Sequence, residues 1–327
     1  MAKDYVKGDI VTVFGGSGFV GRYVVRALVR RGYRVRAAVR RPDLAGHLQP
    51  LGAVGQIHAV QANIRNRQSI ERALIGANAV VNLVGILYET GRQRFDAVQG
   101  AGAGAVAQAA AAAGITRMVQ VSAIGADAES ASHYARSKAI GERLVLEAMP
   151  QAVVLRPSIV FGPEDDFFNR FAAMARISPV LPLIGGGHTR YQPVYVADVA
   201  EAAARAIESE ARPGATYELG GPEVRTFKEL MEFILAEVGR KRLLVPVPFG
   251  LARLKAHALQ LLPKPLLTVD QVRLLEHDNV VSQAAIEDGR TLAGLGIAPS
   301  AMETIVPTYL GRYRKSGQFT QPGQRIA

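Results

Sequence analysis

The sequence predicts an α/β fold, with a doubly wound parallel sheet followed by a smaller C-terminal α/β lobe. Over roughly the first half of the chain, short apolar segments rich in β-branched residues alternate with longer helical patterns. The apolar segments are continuous, which is typical of strands buried on both faces. Because right-handed crossovers join parallel strands, this alternation places helices on both sides of the sheet.

Six strands and four helices are predicted in this part of the chain. The strands are Ile10–Phe14, Arg34–Val39, Gln56–Val60, Ala79–Val84, Arg117–Ser122 and Val153–Arg156. The helices are Phe19–Arg31, Ser69–Ile75, Phe95–Ala113 and Tyr134–Ala148. Beyond Pro157, proline and glycine recur and the helices shorten. We therefore expect a first domain over 1–157 with 193–222 returning to its sheet, a lobe over 158–311, and a loosely ordered basic tail over 312–327.

Composition limits the possible functions. The 327 residues include no cysteine, which excludes disulfides and thiolate metal sites and fits a reducing compartment. A net charge of +11 favours anionic partners. Neither a nucleic-acid-binding motif nor metal-site histidine spacing occurs, so neither nucleic acid nor a metal is expected. No apolar segment reaches the ~18 residues of a membrane-spanning helix, and a strand begins too early for a signal or transit peptide.

The first predicted strand runs directly into a glycine-rich turn. Gly15, Gly18 and Gly21 are spaced as G-x-x-G-x-x-G and precede an amphipathic helix. Glycine permits a tight turn, close approach of the backbone to a pyrophosphate, and close packing of helix on strand. The first helical amides then point at the phosphates. This context predicts a Rossmann-type dinucleotide-binding domain, with contacts from a set of loop residues: Gly15, Ser17, Gly18, Phe19 and Val20.

The end of the second predicted strand indicates which dinucleotide is bound. Arg40 and Arg41 stand where NAD-binding domains usually have an acid that binds the ribose 2′-hydroxyl. Guanidinium groups bind a 2′-phosphate through charge-assisted hydrogen bonds, so NADPH is favoured over NADH. Asp43 lies close by and keeps NAD(H) possible, and the two arginines could instead be solvated surface charges.

Further motifs follow in a fixed order along the chain. They are Asn63-Ile64, Val84-Gly85, Ser122, the Y-x-x-x-K segment Tyr134–Lys138, and Leu155–Pro163. Together with the glycine loop, these motifs resemble the extended short-chain dehydrogenase/reductase (SDR) superfamily over about two-thirds of the chain. The resemblance implies cofactor contacts at Asn63, Ile64, Val84, Gly85, Tyr134, Lys138, Pro157, Ser158, Ile159 and Val160. Asn63 departs from the family pattern, which usually has an aspartate there.

The Y-x-x-x-K spacing has a physical reason. Positions i and i+4 share one helix face, so Tyr134 and Lys138 can meet at one site. An adjacent ammonium favours the phenolate form of a tyrosine. The resemblance implies that Tyr134 transfers a proton, Lys138 also holds the nicotinamide ribose, and Ser122 polarises a carbonyl. These catalytic roles could be vestigial.

A narrower resemblance rests on three longer segments, which are YARSKAIGE, LRPSIVFGPEDDFFNRFAAMAR and YQPVYVADVA. They resemble the NADPH-binding accessory subunits of respiratory complex I (NADH:ubiquinone oxidoreductase). The resemblance implies tightly bound NADPH and a structural or regulatory role without required hydride turnover. It also implies contact with core subunits near the junction of the hydrophilic and membrane arms. The expected location is peripheral, on the cytoplasmic face of a bacterial inner membrane or the matrix side in mitochondria.

Residues 240–267 combine basic and apolar side chains. Such a segment suits an anionic lipid surface or an acidic partner, and it equally suits a core helix with a solvated basic face. Two other functions remain open at this point. One is an independent NADPH-dependent reductase or epimerase that uses Ser122, Tyr134 and Lys138. The other is a protein that binds the nucleotide to sense its redox state.

Overall fold

The computed structural model describes residues 8–260, 265, 267–315 and 317. They form two compact units. The first contains the described residues up to Pro157, with Val196–Leu219 and Ser282–Ala298. The second contains the described residues of Ser158–Tyr195, of Gly220–Val281 and from Pro299 onward. The domain boundaries at 157 and 311 stay a prediction. Most of the basic tail, together with Leu261, Leu262 and Lys264 of the basic-apolar segment, lies outside the described residues.

The first unit is built on a seven-stranded sheet in which every pairing is parallel. Its strands are β1 (Ile10–Phe14), β2 (Arg34–Val39), β3 (Ile57–Gln61), β4 (Ala79–Asn82), β5 (Arg117–Val121), β6 (Val153–Pro157) and β11 (Thr216–Leu219). Their order is β11-β6-β5-β4-β1-β2-β3, so the direction of winding reverses at β1. The predicted doubly wound α/β class is confirmed, and ligands of such sheets bind at this reversal point.

Helices flank this sheet. They are α1 (Phe19–Arg30), α2 (Arg67–Leu74), α3 (Ala101–Ala112), α4 (His133–Ala148), α6 (Val196–Ile207) and the short α10 (Gln283–Glu287). The central strands β1 and β4 are almost wholly buried, as their continuous apolar sequences predict. The helix predicted over Phe95–Ala113 differs in its first turn, because Asp96–Gly100 is π-helical before α3 begins.

The described residues of the second unit form three two-stranded sheets and five α-helices. The strands are β7 (Val160–Phe161) with β10 (Val194–Tyr195), β8 (Val180–Ile184) with β13 (Leu243–Val247), and β9 (Arg190–Tyr191) with β12 (Arg225–Thr226). The helices are α5 (Phe167–Ile177), α7 (Phe227–Glu237), α8 (Phe249–Leu259), α9 (Val269–Leu274) and α11 (Met302–Leu310). Aromatic side chains such as Phe161, Phe168 and Phe227 fill its main core. No helix in the described ranges has the length and apolar character needed to cross a bilayer.

Candidate nucleotide and catalytic site

The glycine loop joins β1 to α1 at the reversal point of the sheet. Gly15 has a φ of 81°, a conformation that side chains disfavour. A Cβ on Gly21 would lie 2.2 Å from the Gly15 carbonyl oxygen, so the first turn of α1 packs directly on the loop. Gly18 is the N-cap residue of α1 and has no side chain that could cap the first amides of the helix. The loop is therefore a cradle of backbone amides of the kind that binds a pyrophosphate, and the predicted residues fit a dinucleotide.

The end of β4 borders this loop, as the order of the sheet requires. A Cβ on Gly15 would lie 3.4 Å from Val84 Cγ2. The backbone amide of Val84 donates to Asn82 Oδ1 at 3.2 Å, and Asn82 Nδ2 donates to Gln120 Oε1 at 2.8 Å. This buried amide pair fixes the backbone where β4 and β5 approach the site. Gln120 was missed by sequence reasoning, although a polar side chain between Val119 and Val121 of this strand was a signal.

The two arginines after β2 have different surroundings. Both are exposed. Arg41 forms an ion pair with Asp43, with Nε–Oδ1 and Nη2–Oδ2 distances of 3.0 and 2.8 Å. The Arg41 guanidinium lowers the pKa of the Asp43 carboxyl through this hydrogen bond. Arg40 has no ion pair with any residue that the structure describes. One guanidinium is thus available to an anion while the other is already bound.

Asn63 and Ile64 follow β3. The Asn63 side chain accepts a hydrogen bond from the Arg65 amide at 3.1 Å, and its backbone amide donates to Ser69 Oγ at 2.9 Å. Ile64 is buried in the core, and a Cβ on Gly102 would lie 2.8 Å from its Cδ1. Ile64 could therefore meet a nucleotide only through its backbone.

Ser122 follows the last residue of β5. Its amide donates to the Leu155 carbonyl at 2.7 Å, which ties it to β6. The side chain is buried, yet its hydroxyl has no hydrogen-bond partner among the described residues. Buried polar groups are nearly always paired, so an unpaired hydroxyl is typical of a group that awaits a ligand or water. This geometry fits the role that the resemblance gives to Ser122.

Tyr134 and Lys138 lie one turn apart in α4. Lys138 Nζ lies 5.8 Å from the centroid of the Tyr134 ring and 3.4 Å from the Val121 carbonyl oxygen, beside Ser122. A Cβ on Gly85 would lie 3.2 Å from the same ammonium, so the segment after β4 meets α4 at Lys138. Burial lowers the pKa of Lys138 to about 8, against a smaller opposing effect of the Glu142 carboxylate. A lysine that loses its proton this easily is typical of sites that transfer protons.

The π-helical turn before α3 packs against α4. A Cβ on Gly141 would lie 2.1 Å from the Gln99 carbonyl oxygen, so only glycine allows this contact. Gln99 Nε2 donates to Ser137 Oγ at 3.0 Å, and Gln99 Oε1 accepts from the Ile86 amide at 3.2 Å. Gln99 therefore links α4 to the segment that follows Gly85. Sequence reasoning missed it, because a glutamine within a helical pattern carries no distinguishing signal.

The predicted contacts Pro157 to Val160 fall on both sides of the boundary between the units. Pro157 ends β6 in the first unit, and its carbonyl accepts from the Ile124 amide at 3.0 Å. Within the second unit, Ser158 Oγ bonds the Asn279 carbonyl and Asn279 Oδ1 at 2.8 and 2.7 Å. Since the Ser158 hydroxyl is already engaged, we expect any contact to a nucleotide at this position to come from the backbone.

Comparison with known proteins identifies the family. Residues 11–220 match the NAD dependent epimerase/dehydratase family. The chain is 36% identical to "NADH dehydrogenase (ubiquinone) 1 alpha subcomplex subunit 9, mitochondrial" of Arabidopsis thaliana, over 96% of this chain and 80% of the plant protein. The chain belongs to the family of this subunit 9. The subunit 9 of Mus musculus is 34% identical, over 95% of this chain and 82% of the mouse protein. The narrower resemblance that the motifs predicted is thereby confirmed.

Solved structures support the fold of this subunit 9 family member. An NADPH-dependent quinone oxidoreductase of Escherichia coli, solved with NADPH, aligns with a TM-score of 0.71 at 21% identity. The alignment covers 92% of this chain and 99% of that enzyme. Together with the family match, it shows that the chain has an NAD(P)-binding fold.

Proposed function

We propose that this chain is an NADPH-binding accessory subunit of respiratory complex I, with a structural or regulatory role that requires no hydride turnover. The observation that carries the proposal is its similarity to subunit 9 proteins of NADH dehydrogenase over nearly its whole length. Its partners would be core subunits near the junction of the hydrophilic and membrane arms. Its place would be the cytoplasmic face of a bacterial inner membrane, or the matrix side if the chain is mitochondrial.

The nucleotide site supports NADPH as the ligand. The glycine loop offers backbone amides to a pyrophosphate, and Val84 and Gly85 border the same region. Arg40 and Arg41 stand where a 2′-phosphate would lie, and no acid occupies either position. Guanidinium groups suit a phosphate dianion better than a neutral hydroxyl. Lys138 and Tyr134 would hold the nicotinamide end, as the SDR pattern implies.

The test of this proposal is native electrophoresis of gently solubilised membranes, probed for this chain. We expect the chain to migrate with NADH dehydrogenase activity in a large complex. Denaturing that complex should release NADPH or its oxidised form, identified by mass, in proportion to the chain. Migration only as a small free species would overturn the role as a subunit, and release of NADH alone would overturn the choice of nucleotide.

An anionic lipid contact by the basic-apolar segment is part of this proposal, and α8 supports it. Two of its leucines are exposed, with Leu251 46% and Leu254 69% exposed, whereas Ala252 and Ala256 are buried. Lys255 is also exposed on this helix. A soluble core helix would bury its leucines, so the reversed pattern favours a surface that inserts shallowly among anionic headgroups.

Replacing both leucines should weaken lipid binding. Leu251→Gln with Leu254→Gln is expected to weaken binding to phosphatidylglycerol vesicles, measured by cosedimentation, by about 100-fold, since each buried leucine contributes about 1.5 kcal/mol. The control is Leu44→Gln, which removes a leucine that is 65% exposed in the first unit. An equal loss of vesicle binding in the double variant and the control, or no loss in the double variant, would contradict the lipid contact.

A second candidate function is an independent NADPH-dependent reductase or epimerase, and the unpaired hydroxyl of Ser122 favours it. Bound NADPH would supply a hydride for a carbonyl carbon. Ser122 would donate a hydrogen bond to the carbonyl oxygen, Tyr134 would give that oxygen its proton, and the Lys138 ammonium would favour the resulting phenolate. Carbonyl-dependent NADPH oxidation that Tyr134→Phe abolishes would place this candidate first.

A further inference from the structure

We infer that Asp43 sets the balance between NADPH and NADH, because it holds Arg41 away from a 2′-phosphate. The inference rests on the proposed nucleotide site. It adds a residue of that site that lowers the affinity for NADPH relative to NADH. A 2′-phosphate must compete with the Asp43 carboxylate for Arg41. The same carboxylate, once released, is the acceptor that the ribose 2′-hydroxyl of NADH requires.

The geometry of the turn explains why the two residues meet. Pro42 begins a short 3-10 helix over Pro42–Leu44, and Arg41 is the N-cap residue of this helix. The tight turn brings residues 41 and 43 together on one side, where Arg41 Nε and Nη2 each donate to a different carboxylate oxygen. Bidentate arginine–carboxylate contacts are directional, so the ion pair favours one orientation of the Arg41 guanidinium.

The ion pair is exposed, which makes it a reversible restraint. Arg41 and Asp43 have side chains that are 68% and 57% exposed. Exposed pairs are weak, so a phosphate dianion can displace the carboxylate, but only at a cost to its own binding. Arg40 carries no such restraint within the described ranges. Arg40 would therefore be the first guanidinium to bind the 2′-phosphate, and Arg41 the one whose contribution Asp43 limits.

Charge placement gives Asp43 a second effect in the same direction. Aspartate side chains are ionised at neutral pH, so Asp43 carries a negative charge there. A fixed negative charge beside the phosphate site repels the additional dianion of NADPH, whereas NADH lacks that group. Both effects lower the preference for NADPH, and removing the charge should raise it.

The experiment measures the dissociation constants of NADPH and NADH for the purified full chain by fluorescence titration. Asp43→Asn is expected to raise the affinity ratio of NADPH to NADH by about two- to fivefold, the upper part of the range for one exposed ion pair. In an Arg41→Ala background, Asp43→Asn should raise the affinity ratio of NADPH to NADH by clearly less, because there is no Arg41 side chain to release from Asp43. The matched control is Glu71→Gln, which removes the same charge from the exposed Arg67–Glu71 pair and should leave the ratio unchanged.

The possible outcomes distinguish a failure of the proposed role of Asp43 from a failure of the proposed nucleotide site. If the natural chain binds both dinucleotides and Asp43→Asn leaves their affinity ratio unchanged, the inference about Asp43 is wrong and the nucleotide site stands. An equal rise in the ratio with and without Arg41 would also overturn it. If the natural chain binds neither dinucleotide, the proposed nucleotide site fails and the role of Asp43 fails with it.

Discussion

Gly21→Ala is expected to weaken the binding of NADPH by about 100-fold, the upper end of what forcing one carbon into a packed contact costs. A Cβ at this position would lie 2.2 Å from the Gly15 carbonyl oxygen and 2.7 Å from the Gly16 carbonyl carbon. Both neighbours are backbone atoms, so neither can rotate away as a side chain would. The first turn of α1 must then move away from the loop, and its amides leave the positions that a pyrophosphate requires. Titration of the purified chain with NADPH measures this loss.

The matched control is Gly46→Ala in the same unit. A Cβ there would meet no atom within 4 Å, and its backbone does not need glycine. We expect unchanged nucleotide binding. Thermal unfolding of both variants separates loss of the site from loss of the fold. If Gly21→Ala folds and binds NADPH within about threefold of the natural chain, a difference well under 1 kcal/mol, the glycine loop is not the phosphate site.

Lys138→Met is expected to stabilise the fold at pH 7 by up to about 3 kcal/mol. Burial lowers the pKa of Lys138 from 10.5 to about 8, and a difference of that size corresponds to roughly 3 kcal/mol against the charged form. Methionine has a similar length and needs no proton. The hydrogen bond from Nζ to the Val121 carbonyl is lost, which offsets part of the gain.

The same substitution should remove a dependence of stability on pH. Between pH 8 and 10.5 the unfolded chain retains the Lys138 proton that the folded chain has lost, so the free energy of unfolding rises with pH in this window. Below pH 8 the whole penalty is present. Urea unfolding at several pH values from 7 to 10 should show this rise in the natural chain, and a smaller one in Lys138→Met.

An exposed lysine provides the comparison. Lys255→Met removes a solvated ammonium and should change the free energy of unfolding by less than about 0.5 kcal/mol. Should Lys138→Met destabilise the chain while the rise with pH remains, the buried ammonium is not the source of the penalty. A stabilised variant would show that Lys138 occupies its position at the expense of the fold, which is characteristic of functional sites.

The sequence was sufficient for the fold class, and it predicts a nucleotide site at the glycine loop. Each central strand is a continuous apolar segment with turn residues at its ends, and these are local features that survive in any context. The glycine loop is equally local, because its spacing and its place between strand and helix are both visible along the chain. The motifs also identified the family, which the comparisons confirm.

The tertiary structure decided the features that depend on residues far apart in sequence. The contact of Gly141 with Gln99 accompanies a π-helical turn where a regular helix was predicted. The hydrogen bond between Asn82 and Gln120 joins two strands, and the Ser158 hydroxyl forms a hydrogen bond with Asn279.

Leu251 and Leu254 of α8 show most clearly what could not be predicted from the sequence. Their spacing along the chain fits a core helix and a surface helix equally well, and only the packing of Ala252 and Ala256 inward leaves Leu251 and Leu254 exposed. The sequence by itself determined six of the seven strands of the sheet and the glycine loop after the first of them, because periodicity and glycine spacing act within a few residues. The partner of each polar group and the exposed face of each helix were decided only when distant segments packed, since burial is a property of the assembled chain.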